Sequence, residues 1–560
     1  MTLRPISTRR WPALAAVGVP SLLVLLDTAV VTAALPDIQG GLGAGVDEAL
    51  WVLEAYLLAF AALLIMFGRL GAAVGRRAVF VGGLGVCTVA AVLCAASGGD
   101  DGLIAARVLH GAGAAALLPQ ALALISASLP PPRRTLAYGT FSVIAGGASA
   151  AGLALVGLVL AGPGWQWVFY LDALVGVAGI AAVVLLVPGA PPARRHRLDL
   201  TGVLLAGAGL AGLVFGLVEG PRHGWHTVAM FAVPGVLATG GALLVMFVLW
   251  ERRQPQPLLP VDLLRDRDFV LATAAALLTS FAMSGLVLVL VLQTRSALGM
   301  GPLRAGAAVG LPLLLGFVAA APVAGRLADL VGARAGTRAA GRLVLAAGLL
   351  SWAAGALVLA YLPTASSAAG TFVAPLLAVG AGAGLTTGLL SAAAMRNVAP
   401  RRATAACTAL NTARLLGAAL GVAAVGAVLQ HRLMQALNQE AMRRVAQLPD
   451  EARAPFLTGF ERAAAAGLQL DGTGLASPTA PPPGVSAGAV DRLGQLVQDA
   501  YAAAFVSASR PALIVAAAAV LAAGALTAFL SAGRWWWRRV AVPPSIDQPR
   551  VAQHEYSRTY

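Results

Sequence analysis

Long apolar stretches alternate along the chain with short polar clusters rich in arginine and glycine. About 20 mostly apolar residues in a helix cross the hydrocarbon core of a membrane. Such stretches lie at Trp11–Leu35, Ala49–Phe67, Val79–Ala96, Leu103–Leu129, Leu136–Ala161, Trp167–Val187 and Leu200–Val218. They continue at Thr227–Trp250, Phe269–Leu292, Ala305–Val323, Leu343–Tyr361, Thr371–Met395, Ala403–Leu429 and Ala512–Phe529. The pattern predicts an all-α integral membrane protein with 14 transmembrane helices. The first stretch is longer than a signal-peptide core, so it is expected to remain as a span. One sizeable polar segment interrupts the series, about 431–507, and its Gly/Pro/Ser-rich middle suggests a long external loop.

Composition agrees with a lipid-solvated fold. Of 560 residues 59% are hydrophobic and only 11% charged. Water-soluble domains carry more charge and less apolar surface. The formal charge is +15, and every one of the 39 basic residues is an arginine. These arginines punctuate apolar runs instead of gathering on a soluble module, which argues against nucleic acid as a partner. Cys87, Cys94 and Cys407 sit inside apolar segments without metal or disulfide spacing, so no metal is expected. No P-loop, nucleophile elbow or zinc signature appears, and neither enzyme activity nor a cofactor is expected. The run Gly380-Ala381-Gly382-Ala383-Gly384 reads as close helix packing, because it lies inside an apolar span.

Arginine placement orients the spans. With the N-terminus inside, the inside segments hold clusters such as Arg76–Arg77, Arg133–Arg134, Arg194–Arg195 and Arg401–Arg402. The short outside loops hold only Arg222, Arg295 and Arg304. The positive-inside rule then puts both termini in the cytoplasm.

Two inside loops repeat each other. One reads Gly68-Arg69-Leu70-Gly71-Ala72-Ala73-Val74-Gly75-Arg76-Arg77, the other Gly325-Arg326-Leu327-Ala328-Asp329-Leu330-Val331-Gly332-Ala333-Arg334. Each follows the second span of a six-span block if helices 7 and 8 are an inserted pair, which implies two related six-helix halves. The expected division is an N-terminal bundle at 1–188, the inserted helices and a cytoplasmic linker at 189–268, a C-terminal bundle at 269–540, and a cytoplasmic tail at 541–560. Duplicated halves around a central site suit alternating-access transport.

Several further motifs carry a resemblance. Helix 1 reads Leu26-Asp27-Thr28-Ala29-Val30-Val31-Thr32-Ala33-Ala34-Leu35-Pro36-Asp37-Ile38, and helix 2 starts Trp51-Val52-Leu53-Glu54-Ala55-Tyr56. Helix 4 holds Arg107, His110, Gly111 and Gly113, and helix 13 holds Asn411-Thr412-Ala413-Arg414-Leu415-Leu416-Gly417. In this order they resemble the major facilitator superfamily, and within it the fourteen-helix drug:proton antiporters of the EmrB/QacA type. The resemblance covers nearly the whole chain. It implies the major facilitator fold, with two six-helix bundles and two inserted helices, in a bacterial cytoplasmic membrane. It also implies conformational-switch loops at Gly68, Arg69, Gly75 and Arg76 and at Gly325, Arg326, Asp329 and Gly332. The sequence departs from the family at Ala72, where an acid is usual, and at Leu153, where helix 5 normally has a proline.

Charges inside spans are costly unless they face water or a partner. Asp27, Glu54, Arg107 and Asp172 share a depth of roughly 7–12 Å below the outer face at 1.5 Å per residue. They are expected to line one wet cavity, with Asp27, Arg107 and Glu54 coupling proton movement. Asp172, His110, Tyr56, Asn411 and Arg414 are expected along the substrate pathway. His110 reads either as a proton relay or as a hydrogen-bonded core residue. An acid-rich cavity would favour cationic or zwitterionic substrates. The expected activity is proton-coupled export of amphipathic or hydrophobic small molecules, such as drugs or secondary metabolites. The expected partners are the substrate, protons and membrane lipid, with the chain acting as a monomer. The alternatives are a lipid or siderophore exporter, an importer of the same fold, or a membrane scaffold or sensor.

Overall fold

The computed structural model describes residues 10–43, 46–127, 147, 151–153, 155–162, 164–187, 199–221, 223–228, 231–254, 261–327, 330, 340–399, 402–445, 453, 457–458 and 487–530. Almost everything described is helical. In chain order the long helices are α1 (Arg10–Leu42), α2 (Val46–Val74), α3 (Arg76–Ala96) and α4 (Asp100–Ala127). Next come α5 (Ala151–Leu160), α6 (Gln166–Leu186), α7 (Leu200–Glu219) and α8 (Val233–Arg253). The second half holds α9 (Arg267–Leu292), α10 (Pro302–Ala320), α11 (Ala340–Tyr361) and α12 (Val373–Met395). The chain then ends in α13 (Ala403–Val445) and α14 (Ala487–Ala528). Among the described residues 13 of these are long and apolar enough to cross a membrane. The fourteenth expected span, helix 5, falls largely outside the described residues, which hold only Ala151–Leu160 of it.

Packing divides the helices as the sequence repeat suggests. In the first half α4 lies against α2 and α3, and α6 against α1 and α3. In the second, α12 lies against α10 and α11, and α13 against α9 and α14. The halves meet where α2 packs on α13 and α1 on α9. The inserted α7 pairs with α8 and also touches both α2 and α13. Outward side chains such as Leu174 and Leu185 on α6 and Val245 on α8 stay exposed, as lipid contact requires.

Small residues set how closely the helices approach. A Cβ on Gly380 would lie 2.3 Å from the Leu313 carbonyl of α10, and one on Gly382 would lie 2.4 Å from the Gly348 carbonyl of α11. The glycine-dense run is therefore the seam by which α12 contacts two neighbours at once. Gly75 joins α2 to α3 without a loop at a φ of 122°, a conformation that favours glycine.

Two expectations change. The segment about 431–507 is not one long loop. α13 runs on to Val445 and α14 begins at Ala487, twenty-five residues before the expected span. Its physical cause is a buried apolar seam: Leu433, Leu437, Tyr501 and Phe505 are covered where the two helices pack together. Glu440 adds ion pairs one turn along, to Arg443 and Arg444. Near the inserted pair, Thr227–Val228 and Phe231–Ala232 form a two-residue antiparallel ladder, not the start of helix 8. Pro234 then occupies the first turn of α8, where its missing N–H costs nothing.

Candidate functional site: a buried charge relay beside a central cavity

α1, α2, α4 and α6 bring five of the predicted residues together: Asp27, Tyr56, Arg107, His110 and Asp172. Arg107 of α4 donates through Nη1 to Asp27 Oδ1 at 2.7 Å and through Nη2 to Oδ2 at 2.6 Å, a two-point fork. Its Nε donates to the Val52 carbonyl of α2 at 2.9 Å. The guanidinium also lies 4.3 Å from the centre of the Tyr56 ring, and Tyr56 in turn donates to the Val24 carbonyl at 2.7 Å. Arg107 is fully buried, so this set of partners is what keeps its charge tolerable.

His110 extends the cluster. Its Nδ1 is 3.1 Å from Arg107 Nη1, and its Nε2 is 2.9 Å from Asp172 Oδ2. Arginine can only donate, so Nδ1 must accept. The ring proton then sits on Nε2 and points at Asp172. The result is a line of hydrogen bonds from Asp172 on α6 through His110 and Arg107 to Asp27 on α1. Asp172 is the most exposed member, with 22% of its side chain accessible. Asp27, His110 and Asp172 also bring ligand atoms within 4.8 Å of one another, a spacing that could suit a cation. Both Asp27 oxygens are already bonded to Arg107, whose charge stands where an ion would sit.

Glu54 does not join them. It is fully buried, and neither carboxylate oxygen has a partner among the described residues. Leu50, one turn before it, lies against Gly426 of α13, and Leu57, one turn after, lines the central cavity. Glu54 thus belongs to the face of α2 turned toward the other half.

Between the halves lies a cavity of roughly 240 Å³, open to solvent. Its walls include Thr28, Phe60, Phe317, Trp352, Asn411 and Arg414. The expectation that Asp27, Glu54, Arg107 and Asp172 line one cavity is therefore corrected. None of them lines this one, and of the five expected pathway residues only Asn411 and Arg414 reach its wall. Helical azimuth is the reason: residues at one depth can face different ways round the helix.

Other polar contacts escaped the sequence reading. Arg295 is bonded to both oxygens of Asp37, at 2.6 and 2.7 Å, tying the end of α1 to the end of α9. A π-helical turn, Gln293–Ala297, carries that arginine, an irregularity no periodicity argument would find. Beside it α5 and α10 touch backbone to backbone, since a Cβ on Gly306 would lie 2.6 Å from the Leu153 carbonyl. Both contacts join the two halves at this end of the molecule. At the other end Arg69 of the first switch loop lies in the field of Glu251 and Asp199 of the inserted pair. Gly68 and Arg76 sit at the same end, with Arg76 reaching the Ala123 carbonyl at 3.4 Å. In the second loop Gly325 and Arg326 are described, whereas Asp329 and Gly332 lie outside the described residues.

Two packed helical halves enclosing a central cavity, with charge buried inside one half, define a polytopic membrane transporter. The Major Facilitator Superfamily profile matches residues 20–422, and the chain belongs to that family. A probable actinorhodin transporter of Streptomyces coelicolor is 34% identical over 75% of this chain and 73% of its own length. A puromycin resistance protein of Streptomyces alboniger is 35% identical over 75% of this chain and 82% of its own. Among solved structures, a bacterial homologue of the human lysosomal transporter Spinster, inward-facing and unoccupied, superposes with a TM-score of 0.57. It shares 16% identity over 93% of this chain and 98% of its own, a likeness of fold alone.

Proposed function

We propose that the protein is a proton-coupled exporter of amphipathic small molecules, of the kind that confers drug resistance or releases a secondary metabolite. The names of its relatives support export. One observation carries the coupling: a continuous hydrogen-bonded line from Asp172 through His110 to the Arg107–Asp27 pair, buried next to the cavity and not in it.

Protonating this line changes its geometry. A proton taken up by His110 makes the imidazole a donor at both nitrogens. Nδ1–H would then face Arg107 Nη1, donor against donor and cation against cation. Arg107 must move, and with it the fork that ties α4 to α1. Releasing the proton restores the acceptor and the closed arrangement. Substrate and proton thus bias one packing equilibrium from separate places, which is what coupling requires. A single proton moving down about 100 mV supplies about 2.3 kcal/mol. That supports roughly 40-fold accumulation of a neutral substrate.

Inverted vesicles test the reading. Asp27→Asn is expected to abolish substrate-induced proton release, followed with a pH-sensitive dye, while the protein still inserts and purifies. Proton movement at the wild-type rate in that variant would remove Asp27 from the coupling.

A further inference from the structure

The cavity carries a charge the proton line does not use. Among the described residues Arg414 is the sole ionisable side chain on its wall, and no aspartate or glutamate lines it. α13 holds Arg414 where its Nη2 donates to Ser391 Oγ at 2.8 Å and, at 3.4 Å, to the Thr387 carbonyl. Both partners are neutral. A guanidinium has five N–H donors, and among the described residues only those on Nη2 are engaged. A second donor points the same way. The indole Nε1 of Trp352, a residue on the same wall, is buried and has no acceptor among the described residues. By contrast, the wall hydroxyls of Thr279, Ser284 and Thr387 already donate to helix carbonyls. Apolar area from Phe60, Phe317 and Met283 completes the enclosure.

A bare cation and an unspent N–H in an apolar chamber want one kind of ligand: an aromatic or aliphatic body with an anionic or strongly electron-rich oxygen. We propose that Arg414 makes the central cavity a site for amphipathic organic anions. Carboxylates, sulfonates and phenolates are the matching groups, and a guanidinium holds them by charge-assisted hydrogen bonds. An amphipathic cation would meet an uncompensated like charge there. The proposal rests on the reading of the chain as an exporter and narrows its substrate class.

Binding and transport separate the two. Purified full-length protein is titrated with two anions, carboxyfluorescein and anilinonaphthalene sulfonate, and with two cations, ethidium and rhodamine 6G, by fluorescence anisotropy. At least one anion is expected to bind more tightly than both cations. Its affinity should fall about tenfold or more in Arg414→Gln and recover largely in Arg414→Lys. Trp352→Phe, which deletes only the N–H, should weaken it by a smaller factor. A monodisperse gel-filtration profile for each variant separates loss of the site from loss of the fold. The site is refuted if the cations bind as well as the anions, or if Arg414→Gln leaves anion affinity unchanged. The same dyes are then followed into inverted vesicles. Anion binding without uncoupler-sensitive uptake would overturn the export reading and leave the anion site standing.

Discussion

Each half of this transporter buries an arginine among its helices, and the two are solved in opposite ways. Arg107 in the first half is saturated: two carboxylate oxygens, a backbone carbonyl, a histidine nitrogen and an aromatic face surround it. Arg414 in the second half touches one hydroxyl and one carbonyl and otherwise faces open volume. A saturated cation is committed to its own protein and can act only by rearranging. An unsaturated one has capacity left for a visitor. On the reading proposed above, one residue type serves coupling in one half and recognition in the other.

Thermal unfolding of two variants gives the largest expected contrast. Arg107→Gln leaves Asp27 buried and unpaired, which costs about 3–5 kcal/mol. Arg414→Gln strands no opposite charge and should stay within about 1 kcal/mol of wild type. Equal melting shifts for the two would erase the distinction. A smaller effect is expected at Glu54, whose carboxyl has no described partner to lose. Glu54→Gln should melt at or above wild type, yet flatten the pH dependence of efflux if that carboxyl exchanges a proton as α2 parts from α13. An unchanged pH profile would leave Glu54 a packing residue. The smallest effect is expected at the end where Arg295 and Asp37 join the halves. Asp37→Asn removes a partly exposed ion pair worth about 1 kcal/mol or less. Labelling of an Ala33→Cys variant by a membrane-impermeant maleimide should then rise several-fold, because the joined form loses part of its advantage. Labelling that does not change would show that backbone packing of α5 on α10 holds this end together unaided.

Spans were legible because lipid imposes a length and a polarity on each, and both can be read without knowing the neighbours. That Asp27 and Arg107 lie at one depth was legible for a related reason: charges within spans are few, and the helical rise fixes how deep each sits. What depth could not supply was azimuth. Val52 and Glu54 are two residues apart on α2, about 200° round the helix. The Val52 carbonyl serves Arg107, while Glu54 looks toward α13. The same gap hid the cavity, whose wall takes residues from both halves whose facing directions no single helix encodes. Arg414 was visible as a charge within a span, but its lack of an acidic partner is a property of α12 and α13 together. The long α13–α14 pair was hidden because its polar exterior masks a seam that only the partner helix completes.

That seam has a mechanical consequence. At 1.5 Å per residue, the 43 residues of α13 form a rod about 64 Å long, roughly twice the thickness of the hydrocarbon core. Half of the rod therefore projects past the bilayer as a braced lever, stiffened by α14. A tilt of a few degrees at the cavity becomes a displacement of several ångströms at the tip, so a spin label near Arg443 would serve as a pointer for motions too small to resolve beside the substrate.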